Sequence, residues 1–261
     1  MVAAETVLVT GASSGIGREL ARCFAEGGSD VVLVARREDR LRELAQELTS
    51  RYGVQAHVLP KDLNLSAAGR EIEDELRGAG IRVDVLVNNA GFGDRGAFAA
   101  LGIERQMKMV QVNVGVVTEL ARRFLPGMIE RRRGGVLNVA STAAFQPGPQ
   151  MSVYYATKAY VLHFSEGIAE ELAGTGVSVT CLCPGPTVTE FGADSRMDGS
   201  LLFRMGAMPA VRVARAGYDG FRAGKVVVVP GLRNKLVAFS VRTGPRFLVR
   251  KIVKLLHRGP M

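Results

Sequence analysis

The run Val7-Leu8-Val9-Thr10 passes straight into Gly11-Ala12-Ser13-Ser14-Gly15-Ile16-Gly17 and then into a segment of helical spacing. A strand that turns on glycines into a helix is the opening of a βαβ unit, and it commits the chain to a parallel sheet covered by helices. The rest of the sequence keeps that alternation. Val31–Ala35, Gln55–Leu59, Val83–Asn88, Gly135–Ala140, Ser178–Cys183 and Lys225–Val229 read as further strands, continuous rather than alternating in apolar character, as strands buried on both faces are. Leu41, Leu44, Ala45 and Leu48 recur at helical spacing, and Glu19–Glu26, Ser66–Leu76, Glu104–Glu130, Val153–Leu172 and Pro209–Phe221 read as helices. The expected fold is therefore α/β: a doubly wound parallel sheet of about seven strands with helices on both faces, Rossmann-type, in a single domain. In such sheets ligands gather beyond the carboxyl ends of the strands.

Composition narrows the function classes. With 261 residues and 47% hydrophobic content the chain can bury one large core, and no low-complexity stretch marks a boundary. Apolar runs are strand-sized, too short to span a bilayer, and the first residues show neither a basic nor an apolar leader region. Cys23, Cys181 and Cys183 have no metal-ligand spacing and read as buried, reduced thiols, so the expected location is the cytoplasm. A net charge of +9 invites a nucleic-acid reading, but the cations are scattered, Trp is absent and aromatics are 6%. Anionic small molecules or an anionic membrane surface are the better partners. His57, His163 and His257 lack ligand spacing with Asp or Glu, so no metal is expected.

The glycine turn has the spacing G-x-x-x-G-x-G, and its backbone N–H groups together with the helix N-terminus can face a pyrophosphate. Where a carboxylate for a ribose 2′-hydroxyl would follow the second strand, the chain has Arg36-Arg37. Their planar forks suit a 2′-phosphate, so NADP(H) is expected over NAD(H). Tyr154 and Lys158, four apart, share one face of a helix. An ammonium beside a phenol favours its ionised form, and a phenol at its ordinary pKa of about 10 is a poor proton shuttle at neutral pH.

These motifs, in this order, resemble the short-chain dehydrogenase/reductase family over roughly residues 6 to 231. The resemblance rests on Thr10–Gly17, Asp62 after the third strand, Asn88-Asn89-Ala90-Gly91 after the fourth, Asn113 in Val112-Asn113-Val114-Gly115, Ser141 thirteen residues before Tyr154, and Pro184-Gly185-Pro186-Thr187-Val188-Thr189. It implies catalytic roles for Asn113, Ser141, Tyr154 and Lys158: Tyr154 gives the proton, Ser141 holds the substrate oxygen, Lys158 lowers the tyrosine pKa and holds the ribose, and Asn113 interrupts a helix and anchors a relay water. It implies cofactor contacts for Gly11, Ser13, Ser14, Gly15, Ile16, Gly17, Arg36, Arg37, Asp62, Leu63, Asn89, Ala90, Gly91, Tyr154, Lys158, Pro184, Gly185, Thr187 and Thr189. Tyr155 lies only three before Lys158 and reads as packing or pocket wall. Thr142 follows Ser141 and on a regular strand would face away from it.

The activity implied is NADPH-dependent reduction of a ketone or 3-oxoacyl-type carbonyl. Two alternatives stay open: an NADP-dependent alcohol dehydrogenase, and a cofactor-binding regulatory protein with little turnover. Residues 190–209 form the expected substrate loop. Its Phe191, Met197, Leu201, Leu202, Phe203, Met205 and Met208 either line a site for a hydrophobic substrate or pack the loop onto the sheet. Domain organisation reads as 1–233 for the cofactor-binding catalytic unit and 234–261 for a basic amphipathic extension. From Arg246 onward the apolar positions 248, 249, 252, 255 and 256 form a helical stripe beside a basic side. That extension can close onto its own domain, dock on a partner subunit or lie on an anionic membrane. A homo-oligomer, dimer or tetramer, through the helices carrying Asn113 and Tyr154, is a further implication of the resemblance.

Overall fold

In the computed structural model, which describes residues 4–204 and 206–257, the expected alternation is realised. The strands are β1 (Thr6–Thr10), β2 (Asp30–Ala35), β3 (Ala56–Pro60), β4 (Val85–Asn88), β5 (Gly134–Val139), β6 (Val177–Leu182), β7 (Thr187–Val188), β8 (Met208–Pro209) and β9 (Val227–Val228). The helices are α1 (Gly15–Glu26), α2 (Glu38–Tyr52), α3 (Ala68–Gly78), α4 (Ile103–Val110), α5 (Val116–Glu130), α6 (Ser152–Glu171), α7 (Phe191–Asp194), α8 (Leu201–Arg204), α9 (Ala210–Arg222), α10 (Leu232–Thr243) and α11 (Arg246–Leu256).

Seven strands form one parallel sheet in the order β3-β2-β1-β4-β5-β6-β9. The order reverses at β1, which pairs with β2 on one side and β4 on the other, Val7 opposing both Val31 and Val85. A crevice opens at that switch point, beyond the strand ends. The two-residue period of β1 divides the core: Val7 and Val9 join Leu20, Phe24, Leu41 and Leu44 on the face covered by α1, α2 and α9. Leu8 turns the other way, to Val32, Ile72, Leu120 and Met128 beneath α3 and α5. Each of these side chains is fully buried, worth about 1.5–3 kcal/mol apiece relative to exposure.

Most expected spans shift by only a few residues at their ends, and two differ in substance. The last strand shrinks from Lys225–Val229 to Val227–Val228, because it pairs with β6 through only two residues at the sheet edge. The long helix 104–130 is split by a π-helical turn, Gln111–Gly115, that holds Asn113. Beyond the main sheet, β7 and β8 form a two-stranded parallel ladder, with Thr187 opposite Met208 and Val188 opposite Pro209. It ties both ends of the 190–207 loop together and so fixes where that loop begins and returns.

Candidate active site

The carboxyl end of β1 leads into Gly11, whose φ of +68° is left-handed, and then to the N-terminus of α1. Side chains are excluded here by close approach. A Cβ on Gly11 would lie 2.7 Å from Asn89 Nδ2, and one on Gly17 would lie 2.4 Å from the Gly11 carbonyl oxygen. Asn89 locks the turn by donating from Nδ2 to the Thr10 carbonyl at 2.9 Å, while Thr10 Oγ1 accepts from the N–H groups of Asn89 and Ala90, both at 3.0 Å. First-turn N–H groups of a helix have no partner inside it, and α1 carries no acidic residue in its first turn, so a phosphate is well received there.

From this turn a cavity of about 1470 Å³ runs along the strand ends to the C-terminal helices. Gly11, Ser13, Ser14, Gly15, Ile16, Arg36, Arg37, Asp62, Leu63, Asn89, Ala90 and Gly91 line one part; Ser141, Tyr154, Lys158, Pro184, Gly185, Thr187 and Thr189 line the next. The sequence thus named most of one continuous wall. Gly17 and Asn113 stand behind it. Gly17 is a buried close-approach position, and the Asn113 side chain is spent on structure: its Oδ1 accepts from Phe92 N at 3.1 Å, and its Nδ2 donates to Phe92 O at 3.0 Å and Thr157 Oγ1 at 3.1 Å. Asn113 therefore positions the turn after β4, where Gly91 lies against Lys158.

Ser141 follows the end of β5 and caps a short turn over Thr142–Phe145, its Oγ accepting from Ala143 N at 3.1 Å. The strand has ended by then, so the alternating-face argument does not apply, and Thr142 also lines the cavity. Ser141 is nevertheless the one of the two that acts on Tyr154, lowering its pKa, and its Oγ also donates to the Pro184 carbonyl at 3.4 Å. Tyr154 and Lys158 lie on α6, both buried. Burial pushes the Tyr154 phenol up to about 12, against a lowering contribution from Ser141. Burial also brings Lys158 down to about 8. The Lys158 Nζ donates to the Val139 carbonyl at 2.8 Å and stands 5.9 Å from the centre of the Tyr154 ring. In the protein alone, therefore, desolvation is the largest influence on the phenol, which keeps its proton at neutral pH.

On the adenosine side Arg36 is exposed and makes no hydrogen bond or ion pair among the described residues. Arg37 donates from Nη2 to Ser13 Oγ at 3.1 Å and from Nη1 to Glu190 Oε2 at 2.8 Å, while Arg40 Nη1 holds Glu190 Oε1 at 2.5 Å. Arg37, then Arg40, hold the Glu190 carboxyl below the usual carboxylate range, against burial. Glu190 opens the substrate loop, and further ion pairs pin the rest of it: Arg105 to Asp194 at 3.4 Å, and Arg196 to the buried Asp94.

Phe191, Met197, Leu202, Phe203 and Met208 of that loop line the cavity, Phe191 with its ring centre 5.3 Å from that of Tyr154. Leu201 points outward at 43% exposure, and Met205 lies outside the described residues. The remaining wall comes from the C-terminal segment, which takes the first of its three expected uses, closing onto its own domain. Val237, Val241, Leu248, Val249, Ile252 and Val253, from α10 and α11, line the far end of the cavity. Val253 is buried in the same apolar cluster as Tyr154, Tyr155, Met151 and Met197. His257, fully buried, fastens this closure: Tyr155 Oη and His257 Nε2 are 2.7 Å apart, and His257 Nδ1 lies 2.7 Å from the Pro149 carbonyl. The only sequence signal for this was the amphipathic stripe from Arg246 onward.

Residues 5–199 match the family described as short chain dehydrogenase. The chain belongs to the short-chain dehydrogenase family. Sulfoacetaldehyde reductase 2 of Chromohalobacter salexigens is 39% identical over 189 residues, covering 72% of this chain and 74% of that protein. The very-long-chain 3-oxoacyl-CoA reductase of Anas platyrhynchos is 33% identical over 195 residues, 72% of this chain and 62% of the reductase. A short chain dehydrogenase of Pseudocercospora fijiensis, 38% identical over 191 residues, is likewise covered over 62% of its length, so the chain spans less than two thirds of these two relatives. Among solved structures, a short-chain dehydrogenase from Sphingobium yanoikuyae in complex with NADPH superposes with a TM-score of 0.82 at 34% identity, covering 92% of this chain and 93% of that one. Short-chain dehydrogenases are nicotinamide-dependent oxidoreductases, and the glycine cradle, locked by Asn89 and free of side chains, fits such a cofactor.

Proposed function

We propose that this chain is an NADPH-dependent reductase acting on the ketone or 3-oxoacyl-type carbonyl of a hydrophobic substrate. The observation that carries the reading is Tyr154: a buried phenol that keeps its proton, its pKa lowered in part by Ser141, in an apolar cavity continuous with the dinucleotide cradle. When bound, the reduced nicotinamide supplies the hydride. Ser141 and Tyr154 hold the substrate oxygen, and Tyr154 Oη passes its proton to that oxygen as negative charge develops there. Lys158, charged below about pH 8, favours the phenolate left behind. A neutral phenol is the state that reduction needs, whereas oxidation of an alcohol needs phenolate as base.

Arg36 and Arg37 support NADPH over NADH, since guanidinium forks suit a 2′-phosphate and the two residues directly after β2 are these arginines rather than a carboxylate for a 2′-hydroxyl. The apolar wall from the loop, α10 and α11 supports an acyl-like substrate, in keeping with the relative named for very-long-chain 3-oxoacyl-CoA. Exposed Ile103, Met107 and Val110 on α4 and Tyr160 on α6 support a homo-oligomer, and buried, unpaired thiols support a cytoplasmic location. NADPH consumption across 3-oxoacyl esters of rising chain length tests the substrate class. Catalytic efficiency, kcat/KM, rises with chain length on this reading; a preference for sulfoacetaldehyde or another short anionic carbonyl overturns it.

A further inference from the structure

The closing helices α10 and α11 carry more apolar surface than the cavity uses. Leu236 and Phe239 on α10 are 61% and 66% exposed; Phe247, Leu248, Ile252 and Leu255 on α11 are 53%, 44%, 54% and 48% exposed. Val253 and, just past its end, His257 mark the inward face of α11, and Leu248, Ile252 and Leu255, spaced i, i+4, i+7, form a separate, half-exposed stripe that runs out from the rim of the cavity. Lys235, Arg246, Arg250, Lys251 and Lys254, all exposed, run alongside. None of the ion pairs among the described residues engages them, and no Asp or Glu follows Asp219 in the sequence.

We infer that this face lies on an anionic lipid bilayer. A second copy of the same face would set cations against cations, whereas anionic headgroups complement the basic residues while the acyl boundary receives the apolar stripe. The contact is peripheral, since among the described residues no helix is long and apolar enough to cross a membrane. The cavity opens on the same side: Leu232, Val237, Leu248 and Ile252 both line it and remain exposed, which marks its mouth. A lipid-borne carbonyl substrate enters there without crossing water. This last step rests on the proposed reductase activity; the surface contact does not.

Full-length protein is sedimented with vesicles of phosphatidylcholine alone and of phosphatidylcholine with phosphatidylglycerol, at low and high salt. The expected result is partition onto the anionic vesicles that weakens with salt. Each cation near the surface contributes about fivefold, so the triple variant Arg250→Glu/Lys251→Glu/Lys254→Glu loses at least about a hundredfold in partition. Phe239→Ser/Phe247→Ser also lowers it. These positions do not line the cavity, so turnover of a short soluble ketone is unchanged in both variants and reports an intact fold. No sedimentation at low salt, equal partition onto neutral vesicles, or hydrogen-exchange protection of α10 and α11 by self-association in lipid-free protein overturns the proposal. Vesicle binding without any ketone turnover overturns the reductase reading and leaves the surface contact standing.

Discussion

Glu190 occupies the guanidinium groups that a cofactor 2′-phosphate would need. Arg37 Nη1 and Arg40 Nη1 hold its two oxygens at 2.8 and 2.5 Å, and its side chain is half exposed at 50%. An ion pair in that setting is worth about 0–1 kcal/mol, whereas a charge-assisted phosphate–guanidinium contact is worth about 1.5–3 kcal/mol. On the proposed NADPH reading, a 2′-phosphate would therefore displace the carboxylate at a modest cost. Glu190→Gln removes the competitor, so the Kd for NADPH falls by up to about fivefold, the equivalent of about 1 kcal/mol, while that for NADH stays within about twofold. Arg37→Ala acts in reverse: NADPH binding weakens by roughly ten- to a hundredfold, with NADH little changed. Titration calorimetry of both cofactors against wild type and the two variants provides the assay. Equal effects on NADPH and NADH, or weaker NADPH binding in Glu190→Gln, would refute the reasoning, because either result detaches Arg37 from the 2′-phosphate.

Tyr154→Phe lowers kcat by about a hundredfold or more with NADPH affinity unchanged, while Tyr155→Phe keeps most of its kcat; steady-state kinetics and cofactor titration check both. Carbonyl reduction declines as pH rises through about 8, where Lys158 loses its charge, and a pH–kcat/KM profile that stays flat to about pH 10 contradicts that assignment. Burial holds the His257 pKa below its ordinary value. The undocked ring therefore takes up a proton first as pH falls below about 6.5, and docking of α11 weakens by at most about 1.4 kcal/mol per pH unit until the docked ring also titrates. Above that window pH has no effect through this group. Hydrogen exchange in α11, corrected for intrinsic rates, follows the change, and protection independent of pH across the window argues against it.

The sheet was legible because strands buried on both faces leave uninterrupted apolar runs, and the cofactor wall because its residues sit within a few positions of those strand ends. Val7 to Gly17 is one local stretch, and so is Ser141 with its turn. What escaped were contacts made across sequence distance. Glu190 meets Arg37 from 153 residues away, and His257 reaches Tyr155 from 102. Neither pair leaves a spacing to detect. The 234–261 segment was read as an extension beyond the cofactor-binding unit, since an amphipathic basic helix has one pattern whether it closes a cavity or meets a membrane. In α11 the two uses are divided around the helix: Val253 and, just past its end, His257 inward, Leu255 outward, and Leu248 and Ile252 at the rim of the cavity between them. Tyr154 offers a different lesson. Spacing alone placed Lys158 beside it, but burial at the head of α6 governs the phenol, a property of packing that a four-residue spacing does not carry.

The proposed hydride transfer to a carbonyl carbon, with Tyr154 as the proton donor to its oxygen, is tested most directly with NADPH carrying deuterium at the transferable C4 position and a long-chain 3-oxoacyl ester, with the product examined by mass spectrometry. Wild type is expected to place one deuterium on the new carbinol carbon, and Tyr154→Phe to yield almost no product. Product lacking deuterium, or labelled product formed at near wild-type rate by Tyr154→Phe, would contradict the account.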